Sequence, residues 1–185
     1  LKITLVGIKD SDGNISLAIY NNGKYELYNE INSNQITIYL LDLVCQTEKP
    51  ICITGAMRGA SETGPDGPAN ILAAVRTAAC KEAAGRGALL IFNDEIHAAA
   101  EVTKTQTTSC STFKSPGWGP LGHVYQDRVE FKRRIEQRQK IQPLKISSEV
   151  YLIKCVAGLD DYLFKALAAK PAHGIVVEAF GCGNV

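Results

Sequence analysis

Residues Ile51–Phe92, ICITGAMRGASETGPDGPANILAAVRTAACKEAAGRGALLIF, decide the fold class. Ile51–Thr54 follows a break at Lys49-Pro50 and ends at Gly55, so it reads as a short buried strand. A loop rich in Gly, Pro, Ser and Asp runs from Arg58 to Pro68. Ile71, Leu72, Val75 and Ala79 then recur at helical spacing, which predicts a helix from Ala69 to about Ala84 with Gly85 as its stop. Ala88–Phe92 is a second continuous apolar run. Strands that are apolar throughout, joined through a helix, belong to a parallel sheet covered on both faces.

The same alternation extends outward. Ile3–Val6 reads as a strand, Asp10–Asn14 as a turn, and Ile15–Tyr20 alternates weakly. Asn21-Asn22-Gly23 is a second turn signal and suggests a hairpin or loop between Leu17 and Leu27. Ile38–Cys45 is apolar and predicts a short helix. Downstream, Leu121–Phe131 predicts a small hairpin around Gln126-Asp127-Arg128. Val150–Val156, Asp160–Ala169 and Gly174–Phe180 then repeat strand, helix and strand. The fold class is therefore α/β, with a mostly parallel sheet flanked by helices.

Composition bounds the function classes. A chain of 185 residues with 45% hydrophobic and 21% charged residues can bury one sizeable core. Twenty basic against nineteen acidic residues leave a net charge of +1, which argues against nucleic acid and membrane surfaces as partners. Apolar runs fall well short of the ~18–20 residues that span a bilayer, and no signal-peptide pattern opens the sequence. The six cysteines form no C-x-x-C pair, so no metal site is expected. Cys45, Cys52, Cys80 and Cys155 lie in apolar patterns, which favours reduced thiols and a cytoplasmic setting over a secreted or periplasmic one. His97 and Glu101 have the spacing of one helix face, read as a surface pair. The basic run Arg128, Lys132, Arg133, Arg134, Arg138 and Lys140 is interleaved with Glu130 and Glu136, as on a solvated face.

One segment carries chemistry. Asn93–Thr108 follows strand Ala88–Phe92 and places Lys104 among Thr103, Thr105, Thr107 and Thr108. Ligands in open α/β sheets bind beyond the carboxyl ends of strands. A lysine beside hydroxyls is also one of the few ways to activate a weak oxygen nucleophile without histidine.

The order of several motifs adds a family. Thr54-Gly55-Ala56-Met57-Arg58, Asp66–Asn70, Asn93–Ala99 and Val102-Thr103-Lys104-Thr105 closely resemble the bacterial-type L-asparaginase/glutaminase family. Phe113–Pro116, Gly119–Gly122, Gly174–Gly181 and Gly183–Val185 extend the resemblance over about residues 40–185. Before residue 40 it is fragmentary. Asn32–Thr37 looks like the family's substrate-binding serine segment, and Leu40–Leu43 like the helix after its threonine-aspartate strand. No His-Gly-Thr-Asp-Thr occurs, and Ile8-Lys9-Asp10-Ser11 stands where Thr-Gly-Gly-Thr-Ile would follow the first strand. Omission of segments from a longer protein explains these gaps better than a naturally deleted, inactive relative.

The resemblance implies an asparaginase-like N-terminal α/β domain over residues 1–140, its first 39 only partly matched. Residues 141–185 would be a linker and the start of a smaller C-terminal domain, with the chain truncated before the rest of it. It implies hydrolysis of L-asparagine, and of L-glutamine as a further candidate, without metal or organic cofactor, by a homotetramer. Lys104 would be catalytic. Ser33 would hold the substrate carboxylate, Asn34 would be a second binding residue, and the carbonyl of Ala56 would face the departing amide. The competing reading is an inactive asparaginase-like fold that binds an amino acid or a partner. A small nucleotide-binding module is disfavoured, because Gly7-Ile8-Lys9 supplies no glycine-rich turn.

Overall fold

The computed structural model describes residues 4–9, 15–20, 31–141, 149–169 and 172–184, with side chains described from Ile38 onward. The chain divides into two compact units, Leu1–Gln142 and Pro143–Val185.

The first unit is built on a seven-stranded sheet. Strands β1 (Thr4–Lys9) and β2 (Ile15–Tyr20) pair antiparallel. Helix α1 (Ile31–Val44) leads to β3 (Ile51–Ile53), and helix α2 (Gly67–Ala79) leads to β4 (Ala88–Phe92). β2–β3 and β3–β4 are parallel, with Leu17 opposite Ile51 and Cys52 opposite Leu89. Strand β5 (Glu95–Ala98) turns back antiparallel on β4. Two short strands, β6 (Thr103–Lys104) and β7 (Phe113–Lys114), form a separate ribbon. β8 (Gly122–Val124) and β9 (Val129–Phe131) then complete the order β1-β2-β3-β4-β5-β8-β9.

The α/β architecture and the flanking helices follow the sequence reading. The pairing is mixed, however: parallel strands occupy only the centre, with antiparallel pairs on both sides. The cause lies at Asn93 and Asp94, which have φ of 50° and 61° and connect Phe92 to its partner Glu95. Two central residues with positive φ make the tight hairpin turn that matches strand twist. A chain expected to run on as a polar loop therefore folds straight back into the sheet.

Alternation along β3 and β4 sorts their side chains between two cores, because successive residues face opposite sides of a strand. Cys52, Leu89 and Ile91 pack with Ala73, Ala74 and Ala78 of α2. Ile51, Ile53, Leu90 and Phe92 pack with Ile38 of α1, and with Val102 and Phe113. The small residues on α2 let it lie close to the sheet. α2 ends at Ala79, and extended Cys80 separates it from a 3-10 turn at Lys81–Ala83, so the helix is shorter than its apolar spacing predicts. α1 is longer than expected and takes in residues 31–37. The turn signal Asn21-Asn22-Gly23 lies outside the described residues.

Part of the basic run also departs from a solvated face. Arg138 Nη2 lies 2.6 Å from Asp42 Oδ1, and both side chains are largely buried. The same Asp42 oxygen accepts the Ala88 N–H at 2.8 Å, so one carboxylate joins α1, the start of β4 and the segment after β9. Gly87, at φ +78°, is required beside it: a Cβ there would fall 2.1 Å from both Asp42 Oδ1 and the Arg138 guanidinium.

The second unit is a strand–helix–strand motif. β10 (Val150–Lys154) and β11 (Gly174–Glu178) pair parallel, joined through α3 (Tyr162–Ala168). Lys154 Nζ closes the pair on Glu178 Oε1 at 2.8 Å.

Replacing Asp42 with Ala strands the Arg138 charge and frees the Ala88 N–H. Urea unfolding should show a loss of about 3–5 kcal/mol, as for a broken buried ion pair.

Candidate active site

The carboxyl ends of β3 and β4 are fastened to the start of α2 by two side chains. Asp66 precedes α2 but its side chain makes no capping hydrogen bond to the backbone N–H groups of the helix. Its carboxylate instead accepts the backbone N–H of Met57 at 3.0 Å and of Arg58 at 2.9 Å. Asn70, one turn into α2, donates through Nδ2 to the Gly55 carbonyl at 2.9 Å and to Asp66 Oδ2 at 3.2 Å. Its Oδ1 accepts the Asn93 N–H at 3.0 Å. Thr54 Oγ1 adds a 2.6 Å bond to the Ile91 carbonyl. The half-buried Ala56 thus sits in a loop held at both ends, between Gly55 and Met57.

Lys104 arrives from the other side of this loop's core. Its strand β6 is paired with β7, with Lys104 opposite Phe113 and Thr103 opposite Lys114. Phe113 is buried and tilts against Phe92 at the end of β4, ring centres 4.9 Å apart. Met57 packs on the same core. The threonine-rich connection from β6 to β7 is closed by its own hydroxyls. Thr105 donates through both N and Oγ1 to the Thr112 carbonyl at 2.8 Å, and Gln106 N donates to Thr112 Oγ1 at 2.9 Å. Lys104 Nζ donates to the Thr107 carbonyl at 3.2 Å. Burial lowers the Lys104 pKa below the ordinary lysine value of 10.5, because desolvation disfavours the ammonium.

Ser33 and Asn34 lie near the start of α1, a helix that packs on β3, β4 and β6. Their backbone therefore belongs to the layer that carries Lys104, while the positions of their side chains lie outside the description. Sequence reasoning assigned no role to Asp66 or Asn70. Their signal was available: an aspartate and an asparagine four apart at a Pro-marked helix start share one helix face. His97 and Glu101 do not share a helix face. His97 is in β5, and Glu101 follows it in a turn, where its Oε1 accepts Arg133 Nη1 at 3.1 Å. Among the described residues no group of three or more His, Cys, Asp or Glu side chains is placed to hold a metal ion.

Residues 35–137, which contain both halves of this arrangement, match the family described as Asparaginase, N-terminal. The chain belongs to the asparaginase family. It is 38% identical over 155 residues to a probable periplasmic L-asparaginase of Haemophilus influenzae, covering 80% of this chain and 44% of that protein. Against L-asparaginase 2 of Escherichia coli the identity is 36%, with the same two coverages, 80% and 44%. A glutaminase-asparaginase of Pseudomonas fluorescens is also 36% identical, over 80% of this chain and 42% of its own length. The chain thus spans less than half the length of these asparaginase relatives.

Two outcomes follow from the geometry. Asn70→Ala removes partners from the Gly55 carbonyl and the Asn93 N–H, and chemical denaturation should register a loss of about 1–3 kcal/mol. Lys104, followed by NMR of its side-chain carbons against pH, should titrate below 10.5, with lysines in open solvent as the internal reference.

Proposed function

We propose that this chain contributes the lysine-bearing and substrate-facing part of an L-asparaginase-type amidohydrolase, converting L-asparagine and water to L-aspartate and ammonia. L-Glutamine is the candidate second substrate. The observation that carries the reading is Lys104 itself. It has a lowered proton affinity and sits on a ribbon packed against the loop of Ala56 and the end of β4. An amine that gives up its proton more easily is a better acceptor for the proton of a hydroxyl nucleophile.

The other residues take complementary roles. The Ala56 carbonyl accepts a hydrogen bond from the substrate amide nitrogen and orients it for departure as ammonia. Ser33 donates to the substrate α-carboxylate, with Asn34 beside it. A hydroxyl nucleophile attacks the side-chain carbonyl and its proton passes to Lys104; the C–N bond breaks as that proton is returned to the departing nitrogen, releasing ammonia, and water then cleaves the acyl intermediate. The two threonine motifs that would supply the nucleophile and its aspartate-linked partner do not occur in this sequence, which favours a binding-only module as the second reading.

Residues 1–140 would form the N-terminal domain and residues 141–185 the linker and start of a C-terminal one, in a homotetramer that needs no cofactor. All six cysteines are free, which supports a reducing, cytoplasmic setting. No helix among the described residues is long and apolar enough to cross a membrane.

Ammonia release from L-asparagine is the test. Ammonia release above background, cut about 10²–10⁴-fold by Lys104→Ala, the usual worth of general acid–base catalysis, is the outcome that supports the enzyme reading. No release, with asparagine still bound by calorimetry, would assign the binding module instead.

A further inference from the structure

The lysine ribbon is short. β6 and β7 have two residues each and, among the described residues, pair with no other strand. Besides α1 and the buried Val102, which pack at β6 itself, the placement of Lys104 depends on what holds β7. One hold is the apolar contact of Phe113 with Phe92. The other is polar and uses two consecutive residues at the end of β7. Lys114 Nζ reaches Glu95 Oε2 at 2.9 Å, and Ser115 Oγ lies 3.0 Å from His97 Nδ1. Glu95 and His97 are two apart on β5, hence on one face of the large sheet. His97 Nε2 lies 3.3 Å from Glu95 Oε2, close but not aligned as a good hydrogen bond. His97 is fully buried and Ser115 nearly so.

The tautomer follows from the partners. A carboxylate only accepts, so Nε2 carries the proton that faces Glu95, and Nδ1 accepts the Ser115 hydroxyl. Burial holds the His97 pKa below its ordinary value, against an opposing pull from Glu95, while Lys114 and His123 of β8 add positive charge that lowers it further. The ring is neutral at neutral pH.

We propose that Glu95, His97, Lys114 and Ser115 form a positioning network for Lys104, holding its strand through β7, and that protonation of His97 loosens that hold. A protonated ring has no acceptor left at Nδ1, so the Ser115 hydroxyl must turn its hydrogen elsewhere and accept from Nδ1–H instead. Its stronger claim on Glu95 Oε2 competes with Lys114 for the same oxygen. Both changes act on the residues that end β7. The proposal rests on the assignment of Lys104 as the catalytic amine, but the hold itself can be measured without turnover.

The sign is fixed by the direction of the shift. Above the ordinary histidine value of 6.5 the ring is neutral whether folded or unfolded, and the network is intact. As pH falls below it, the unfolded chain takes up the proton first, so stability is lost down to the folded pKa.

The experiment is NMR of the chain labelled with ¹³C-lysine, the Lys104 signal being assigned by its loss in Lys104→Arg. In the unaltered chain, the Lys104 Cε shift should show an inflection below about pH 6.5, where lysine itself does not titrate. His97→Gln should abolish the inflection, and His123→Gln should leave it in place. Ser115→Ala, a milder change should His97→Gln fail to fold, should displace the Lys104 signal at neutral pH. A Lys104 signal with no inflection, or one unmoved in Ser115→Ala, overturns the proposal. An intact network with no ammonia release would count against the asparaginase reading alone.

Discussion

Everything in the first unit follows from β4 being buried on both faces. Leu89 and Ile91 on one side, and Leu90 and Phe92 on the other, are each close to fully buried. Each such side chain contributes about 1.5–3 kcal/mol when removed from water. That burial requires a helix above and a helix below, supplied by α2 and α1 through the two parallel crossovers. It also leaves no room for polar chemistry along the strand. Polar groups can gather only at its end, and the carboxyl end is where Asn93, Asn70 and the loop of Ala56 meet.

The polar fastenings at that end are made where the backbone leaves regular pairing. Strands β3 and β4 stop at Ile53 and Phe92, so the carbonyl of Gly55 and the N–H of Asn93 have no ladder partner. One amide side chain satisfies both, since Asn offers a donor and an acceptor on the same planar group. Asp66 does the same for two N–H groups at the cost of not capping its own helix. Helix stability is given up locally, and the loop is fixed in return. At the opposite end of β4, Asp42 and Arg138 anchor the strand's start, so β4 is pinned at both termini by side chains from other elements.

Legibility in the sequence divides along the same physical line. β3, β4, α2 and the β8–β9 hairpin were readable because local periodicity and turn residues specify them. β5 was not, because it opens with a charged residue and buries a histidine, so its composition resembles a loop. Asn93-Asp94 was the missed signal: both residue types tolerate the left-handed region that a two-residue hairpin requires. The Asp42–Arg138 pair spans 96 positions and has no local signature. Lys104 was legible through the order of its neighbouring motifs. What holds it was not, since Glu95, His97 and Ser115 meet only once β5 is placed in the sheet.

The ribbon carries two lysines in different electrostatic situations. Lys104 faces Phe113 and Lys114 faces Thr103, so the two side chains leave opposite faces of the ribbon. Lys114 is paired with Glu95 at 2.9 Å. Lys104, among the described residues, has the neutral Thr107 carbonyl as its acceptor and no carboxylate in ion-pair contact. Desolvation therefore acts on Lys104 without compensation, and its proton affinity falls. An arginine in its place would keep its charge under the same burial, because the guanidinium does not deprotonate in proteins. The two lysines thus sit diagonally across the ribbon, Lys114 in contact with the Glu95 carboxylate and Lys104 with a neutral carbonyl.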